Sequence, residues 1–317
     1  MPADPQRILL VKLSAMGDII HALPVACSLK HRFPQCQISW IVKSKWTVLL
    51  EGNPYVDEVI AFDRTSLAAM LDVRRVLRER KFDVAVDCQG LVQSSLLARI
   101  SAAKQRWGFD ASELKEKQAA LLYTNRVAAP AKHVVDKCLA IAEALGAKRC
   151  LEFPIPAGRP EGTLPDGPFV LAAPLAGWAS KQWPLEYYKR LASLLKVPLV
   201  LNGPPGTPHV GGTLAHVSGI PGLIDATRRA LAVVGIDSGP LHLAAALGKP
   251  GVAIFGPTDP ARNGPYGNTI EVLRTASAVT TYKRDVEVAA SMRAISPETV
   301  FETLCRVITS RNLTPIS

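Results

Sequence analysis

The 317-residue chain has no hydrophobic run that approaches the roughly 18 residues needed to span a bilayer. Its N-terminus, MPADPQR, carries an early acid and two prolines and continues directly into a strand-like segment, so we predict no secretory signal. The sequence also lacks low-complexity tracts, and 48% of its residues are hydrophobic, which excludes a disordered protein. We therefore expect a folded protein that stays in the cytoplasm.

Metal-ligand spacing is also missing from the sequence. The six cysteines contain no CxxC pair, and most have apolar neighbours; they are Cys27, Cys36, Cys88, Cys138, Cys150 and Cys305. This pattern favours reduced core thiols over a zinc site or a disulfide framework, so we predict no metal site.

Acidic residues are in deficit: 27 of them oppose 37 lysines and arginines, giving a net charge of +10. This balance favours an anionic partner, which could be nucleic acid, a phosphorylated substrate or an acidic membrane face. Nucleic acid is the least favoured, because aromatic residues are only 6% and no recognition motif is present. Arg74 and Arg78 lie four residues apart on a predicted helix, and this basic face suits either solvent or an anionic lipid or acceptor.

Apolar runs alternate with helix-like stretches along the whole chain, which predicts parallel α/β architecture. In the first half, strands are predicted at 8–13, 37–42, 56–62 and 83–87, with helices near 19–33, 67–80 and 134–145. Residues 153–168 contain five prolines and three glycines and predict a linker. The pattern then restarts, with strands near 169–173, 197–201, 231–236 and 252–255 and a last helix near 296–310. We expect two Rossmann-like, doubly wound domains, 1–155 and 156–317, with ligands in a cleft at the carboxyl ends of the strands.

In the first domain, the loop after the first strand contains the best candidate for a general base. The segment SAMGD ends at Asp18 and lacks the GxGxxG pattern of a dinucleotide site. Asp18 is either the N-cap of the following helix or a cleft-facing carboxylate that takes a proton from an attacking hydroxyl. Gln89 and Gly90 follow another strand and should line the same cleft.

In the second domain, the segment IDSGPLH follows a strand and opens a helix, so its free amides could seat an anion. Ser238 would add a hydroxyl, and the alternative is a capped helix with a packed histidine, His242. Lys181 lies near a helix start, where a lysine is unfavourable unless it meets an anion such as phosphate; the alternative is a solvated surface lysine. The turn FGPTDP follows a later strand.

Five motifs, LLVKLSAMGDIIHALP, DVAVDCQGL, KQWP, GIDSGPLHLAAALGKP and FGPTDP, together resemble the ADP-heptose lipopolysaccharide heptosyltransferases of glycosyltransferase family nine. The similarity is greatest to the heptosyltransferase I type and runs in order from Ile8 to about Gly267. It implies a GT-B fold of two Rossmann-like domains. The acceptor would bind mostly to the first domain and the sugar nucleotide mostly to the second, and the last helix would pack on the first domain.

The resemblance also implies roles for individual residues. Asp18 matches the family's general base. The donor-binding positions matched are Lys181, Asp237, Ser238, Gly239, His242 and Thr258. On the acceptor side we expect Ser14, Met16, Gly17, Gln89 and Gly90. The implied reaction is inverting, needs no metal or cofactor beyond the ADP-heptose donor, and uses a Kdo-lipid A type acceptor at the cytoplasmic face of the inner membrane.

Two segments depart from the family pattern. The acceptor-facing segment 63–81 is compact. Residues 203–229 look shorter than the family's segment and lack the acidic residue that usually contacts the nucleotide ribose. Two alternatives therefore stay open: a family member that uses another nucleotide sugar or acceptor, and a non-catalytic nucleotide-sugar-binding paralogue. Retention of Asp18 and Lys181 argues against the second.

Overall fold

The computed structural model describes residues 4–281, 285–311, 313 and 316. The chain divides into two compact units, Met1–Pro156 and Ala157–Ser317, and the division falls inside the proline-rich segment 153–168. Each unit contains a parallel sheet and helices. The predicted α/β class with two parallel sheets is confirmed.

The first unit is built on a sheet of six strands in its described residues, with order β3-β2-β1-β4-β5-β6 and every pair parallel. The strands are β1 (Arg7–Val11), β2 (Gln37–Val42), β3 (Glu58–Ala61), β4 (Val84–Asp87), β5 (Gln105–Phe109) and β6 (Asn125–Val127). The chain moves outward from β1 to β3 and then returns to place β4 beside β1. The topological switch point therefore lies between β1 and β4, where open α/β sheets bind ligands.

Helices cover this sheet: α1 (Met16–Arg32), α2 (Leu67–Glu79), α3 (Val92–Ile100) and α4 (Val134–Ala144). Val73 and Leu77 of α2 are buried in one core cluster with Leu9 and Val11 of β1. Because α2 buries only this narrow face, its other sides stay open to solvent. The long α1 is buried over most of its length and ends with Lys30, His31 and Arg32, which suit the negative end of the helix dipole.

The second unit repeats the same topology. Its described residues form six parallel strands in the order β12-β11-β10-β7-β8-β9, with the switch point between β7 and β10. The strands are β7 (Val170–Ala172), β8 (Leu199–Gly203), β9 (Leu214–Val217), β10 (Ala232–Ile236), β11 (Gly251–Phe255) and β12 (Ile270–Arg274).

The helices of this unit are α5 (Leu185–Leu194), α6 (Ile220–Arg229), α7 (Gly239–Ala246), α8 (Pro260–Asn263), α9 (Ala290–Arg293) and α10 (Pro297–Thr309). Ser296 caps α10 by accepting a hydrogen bond from the Thr299 N–H at 3.2 Å. The buried residues Val300, Leu304 and Ile308 of α10 belong to the core of this second unit. Packing of this helix on the first domain, which the family resemblance implies, stays a prediction.

Several short elements were not predicted from the sequence. The edge strands β6 and β9 have only three and four residues, and Leu214 and Val217 of β9 are both 47% exposed. Helix α6 carries Pro221 in its first turn, where its missing N–H costs nothing. Pro184 is the N-cap of α5 and not part of the helix.

None of the described helices has both the length and the apolar character required to cross a bilayer.

One cysteine pair differs from the predicted state. Cys27 of α1 and Cys150, which follows α4, form a disulfide with their Cα atoms 5.8 Å apart. The prediction of reduced thiols throughout is therefore wrong for these two residues. Sequence spacing could not reveal the pair, because 123 positions separate its members. The other four cysteines form no disulfide among the described residues.

Candidate functional site

Asp18 lies in the first turn of α1, three residues after the N-cap Ala15. Its Oδ2 accepts a hydrogen bond from the Ala15 N–H at 3.0 Å, so the carboxylate reaches back across the helix start as the acid of a capping box does. Asp18 is therefore not itself the N-cap, which was one of the two roles expected for it. Its side chain is 46% exposed, so the carboxylate remains accessible to a ligand.

A buried lysine lies next to this carboxylate. Lys12 follows β1, its side chain is only 8% exposed, and its Nζ lies 3.7 Å from Asp18 Oδ1. The same Nζ donates a hydrogen bond to the Cys88 carbonyl at 2.8 Å. Burial by itself lowers the pKa of Lys12, but Asp18 together with Cys138, Cys88 and Asp87 outweighs it, so the net pKa lies above its usual value. Lys12 was not predicted as a site residue, although a lysine within the apolar run ILLVKL is an informative signal.

At the end of β4, the fully buried Asp87 organises the next loop. Its Oδ1 accepts hydrogen bonds from the backbone N–H groups of Gln89 and Gly90, at 2.8 and 3.2 Å. Its Oδ2 accepts from Tyr123 Oη at 2.6 Å and from Ser94 Oγ at 2.8 Å. Burial raises the pKa of Asp87, although these hydrogen bonds oppose the change. Asp87 therefore holds the turn that presents Gln89 and Gly90.

Gln89 joins this turn to the loop that precedes Asp18. Its Oε1 accepts hydrogen bonds from the Leu13 N–H at 3.1 Å and the Ser14 N–H at 3.3 Å. Gly90 has a φ of +71°, and a Cβ at this position would lie 2.6 Å from Leu114 Cδ2. The positive φ therefore favours glycine here, and an added Cβ would also displace the Leu114 side chain.

The predicted acceptor residues of the first unit thus fall into two groups. Ser14 and Gln89 are joined through the hydrogen bond described above, on loops that follow the adjacent strands β1 and β4. Met16 and Gly17, in the first turn of α1, and Gly90, after β4, are buried. Of these positions, Ser14 and Gln89 are only partly buried and are the ones accessible to a ligand.

In the second unit, Lys181 forms an ion pair with Asp237. Lys181 ends a short 3₁₀ turn after β7, and its Nζ lies 2.5 Å from Asp237 Oδ2. Their side chains are 16% and 5% exposed, which excludes the interpretation of Lys181 as a solvated surface lysine. The ammonium also lies over the Trp178 ring, 4.3 Å from its centroid.

Two further residues contact the Asp237 carboxylate. Asn263 of α8 donates a hydrogen bond from Nδ2 to Oδ1 at 3.1 Å, and His242 Nε2 of α7 lies 3.8 Å from the same oxygen. Burial raises the pKa of Asp237, but His242 and Lys181 together overcome this and lower it to about 2. Asp237 is therefore a buried anion that gathers residues from three segments. Asn263 was not predicted, because an asparagine three residues after the turn FGPTDP has no distinctive sequence signal.

Two hydroxyls on the loops after β10 and β11 are buried and have no hydrogen-bond partner in the part of the chain that the structure describes. Ser238 is the N-cap of α7, and its Oγ is buried without a hydrogen-bond partner among the described residues. The same holds for Thr258 Oγ1, in the loop after β11. Such groups are rare in proteins, because an unsatisfied buried hydroxyl costs free energy. Together with the positive end of α7, they can bind the oxygens of an anionic ligand.

In each unit, the candidate residues follow the strands that flank the switch point. In the first unit, Asp18 follows β1 and Gln89 follows β4; in the second, Lys181 follows β7 and Asp237 follows β10. Each set therefore occupies the edge of its sheet where ligands of open α/β folds bind.

Comparisons with known proteins agree with this architecture. The family model described as glycosyltransferase family 9 (heptosyltransferase) matches residues 70–197 and 213–290. Lipopolysaccharide heptosyltransferase 1 of Escherichia coli strain K12 is 28% identical over 298 residues, which cover 84% of this chain and 93% of that protein. The protein of the same name from Pseudomonas aeruginosa is 27% identical over 296 residues, covering 83% and 82%.

A solved structure extends the similarity to the fold. E. coli heptosyltransferase WaaC with ADP-2-deoxy-2-fluoro heptose superposes with a TM-score of 0.74 and 23% identity, over 94% of this chain and 98% of that one. The family match is interrupted at residues 198–212, which overlaps the segment 203–229 that departs from the family pattern.

Proposed function

Because the chain belongs to glycosyltransferase family 9, the heptosyltransferases, it is a glycosyltransferase, and we propose that it transfers heptose from ADP-heptose to an inner-core lipopolysaccharide acceptor of the Kdo-lipid A type. Two relatives named lipopolysaccharide heptosyltransferase 1, similar over most of the chain, support this reaction. The structure of E. coli WaaC with a fluorinated ADP-heptose supports the choice of donor.

The observation that carries the proposal is the anion site of the second unit. Lys181 supplies a cation after β7. Ser238 Oγ and Thr258 Oγ1 are buried hydroxyls without a partner in the described chain, and Ser238 is the N-cap at the positive end of α7. A nucleoside diphosphate would satisfy both hydroxyls and meet the Lys181 ammonium. We therefore assign the ADP-sugar donor to the second unit and its diphosphate to these groups.

Asp18 is the proposed base for the acceptor, which we assign to the first unit. Its carboxylate takes the proton of the acceptor hydroxyl as the hydroxyl oxygen forms a bond to the anomeric carbon. The bond from that carbon to the diphosphate breaks, and ADP leaves with the electron pair. A single displacement of this kind inverts the anomeric configuration. Lys181 and the start of α7 stabilise the charge that develops on the leaving group, so we expect transfer to proceed without a divalent metal.

The base assignment is tested with Asp18→Asn, which keeps the shape of the side chain and removes the proton acceptor. We expect transfer of heptose to fall by a factor of about 10² to 10⁴, with binding of ADP unchanged in calorimetry. Asp4→Asn is the matched control, because Asp4 is an exposed acid of the same unit that pairs with Arg32. Full transfer activity in Asp18→Asn would show that another group is the base.

A related donor is the second candidate, favoured by the interrupted family match at residues 198–212. A shortened segment near the nucleotide would change selectivity for the base or the sugar. Profiling of nucleotide sugars with one acceptor preparation distinguishes the two: turnover of another nucleotide sugar with ADP-heptose inert would replace the first candidate with this one.

We also propose that α2 places the enzyme on the anionic cytoplasmic face of the inner membrane. Leu67 is 85% exposed and Leu71 is 63% exposed, and the two lie one turn apart at the start of the helix. The exposed Arg74, Arg75 and Arg78 follow on the same helix. Partial insertion of two leucines, together with about 1 kcal/mol for each arginine near an anionic surface, is sufficient for reversible binding.

Co-sedimentation with vesicles tests this surface. Wild-type protein should bind vesicles with anionic lipid and not neutral ones, and Leu67→Ser with Leu71→Ser should weaken binding by at least about tenfold, since each buried leucine contributes about 1.5–3 kcal/mol. Leu121→Ser is the control, because Leu121 is 74% exposed elsewhere in the same unit. Equal losses in the control and the double variant would argue against a role for α2.

A further inference from the structure

His31 lies beside the disulfide between Cys27 and Cys150, although a disulfide does not need a histidine to form a crosslink. One ring nitrogen of His31 and the two Sγ atoms all lie within 4.8 Å of one another. Cys27 and His31 are four residues apart in α1, so their side chains lie on the same face of the helix. Cys150 approaches that face from the segment after α4.

We propose that these three residues, once the disulfide is reduced, form a binding site for a thiophilic divalent cation, with Zn²⁺ as the expected ion. Two thiolates and an imidazole are ligands that zinc prefers, and three protein ligands leave the fourth tetrahedral position to water. Bond lengths of about 2.0–2.3 Å place tetrahedral ligand atoms about 3.6–3.8 Å apart. The three ligand atoms already lie within 4.8 Å of one another, and the tetrahedral spacing requires the two sulfurs to move apart once their bond is broken.

The backbone around the site is held in place. Ser28 Oγ accepts a hydrogen bond from the Cys150 N–H at 3.0 Å and donates one to the Pro24 carbonyl at 2.8 Å. This fixes Cys150 against α1 independently of the sulfur chemistry. Reduction can therefore free the two thiols without separating the segments that carry them.

The His31 ring is held by packing against a neighbouring aromatic side chain. The Tyr55 ring packs edge-on against His31, with centroids 5.5 Å apart and planes at 84°. Tyr55 Oη in turn donates a hydrogen bond to Glu152 at 2.5 Å. His31 is exposed while Cys27 is fully buried, so a cation can enter from the histidine side.

The site is chemically separate from the proposed transfer reaction. Cys27 lies nine residues after Asp18 in the same helix, which corresponds to about 13 Å along the axis. A cation held there cannot touch the proposed base. Its expected role is to join α1 to the segment after α4 in the reduced protein, as the disulfide does in the oxidised protein.

Reduction of the disulfide converts the oxidised form of the site into the form that binds the cation. A cellular dithiol reduces the disulfide, and two electrons and two protons convert the bond between the sulfurs into two thiols while the dithiol becomes a disulfide. Binding of Zn²⁺ then releases the two thiol protons, because thiolates are the ligands. Oxidation removes both sulfur ligands and closes the site.

Cobalt is the probe for the test, because Co²⁺ substitutes for zinc and its thiolate complexes absorb strongly by charge transfer. Full-length protein, reduced with a phosphine and freed of metal, should bind one equivalent of Co²⁺ with this absorption and lose it to Zn²⁺. His31→Ala should weaken binding by at least about tenfold, and Cys27→Ser should abolish the charge-transfer band. Protein kept in the disulfide form should not bind.

Cys36→Ser is the matched control, since Cys36 is a buried thiol of the same unit outside the cluster. It should leave cobalt binding unchanged. The exposed His31 keeps the test valid if Cys27→Ser fails to fold. The proposal is overturned if the reduced wild type binds no cobalt, or if His31→Ala binds it as tightly as wild type.

Discussion

Replacement of Lys181 by methionine should destabilise the second unit, because it leaves the Asp237 carboxylate buried without its cation. Asp237 is 5% exposed and its pKa is lowered to about 2. A decrease of that size from 3.8 corresponds to about 2 kcal/mol of stabilisation of the charged form. Breaking a buried ion pair from one side costs about 3–5 kcal/mol, but Asn263 and His242 still contact the carboxylate. We therefore expect a loss of about 2–4 kcal/mol.

Unfolding in urea at pH 7, followed by tryptophan fluorescence, measures this loss; Trp183 of the second unit is 1% exposed and reports its unfolding. The informative comparison is with the double variant Lys181→Met, Asp237→Asn, which also removes the negative charge of the unpaired Asp237 carboxylate. It should be about 1–2 kcal/mol more stable than the single variant. Lys189→Met on the exposed side of α5 controls for loss of a lysine.

The pH dependence follows from the same pair. Because the folded pKa of Asp237 lies below its ordinary value of 3.8, its stabilisation is present above about pH 4 and is lost as the pH falls toward 2. Lys181→Met removes one of the groups that lower this pKa, so the difference between variant and wild type should shrink below about pH 4. Equal stability of the single and double variants at pH 7, within about 0.5 kcal/mol, would refute the reasoning.

Two further predictions concern the loop after β4. Gly90→Ala should lower the free energy of unfolding in urea by about 1 kcal/mol more than Gly52→Ala does. Both glycines have positive φ, but of the two only Gly90 has a neighbour within 4 Å of the added Cβ. Equal losses would contradict the steric argument. Tyr123→Phe should lower the free energy of unfolding by about 1.5–3 kcal/mol, since it removes a 2.6 Å hydrogen bond to the buried Asp87. A loss below about 0.5 kcal/mol would mean that the other hydrogen bonds to Asp87, from Ser94 and two backbone N–H groups, are enough to stabilise it.

The sequence predicted the central strands well because they are buried on both faces. Strand β2 has the predicted bounds 37–42, and five of its six residues are buried. The edge strand β3 falls within the predicted strand 56–62, but the edge strands β6 and β9 escaped prediction because they are short and have few buried residues; in β9, three of four residues are exposed. Helix α6 was not predicted, because Pro221 and Gly222 in its first turn are residues typical of loops.

For the candidate site, the residues at strand ends could be predicted and their partners could not. Asp18 and Asp237 each follow an apolar run, so their position at the sheet edge depends on local sequence alone. Lys12, Asp87 and Asn263 act through contacts with residues distant in the sequence, such as the bond from Asn263 to Asp237 across 26 positions. No local pattern encodes such pairs. The same reason explains why the disulfide was missed.

The shared strand order of the two units has a consequence for how substrate preference can change. In both sheets the candidate residues lie on loops that follow the two strands beside the switch point, and the strands themselves are buried. Under the proposed assignment of acceptor to the first unit and donor to the second, substitutions in the loops after β1 and β4 would alter acceptor preference without disturbing the second core. Changes after β7 and β10 would alter donor preference without disturbing the first core. Such a chain can diversify one substrate at a time, and chimaeras joined within residues 153–168 offer a direct way to recombine the two preferences.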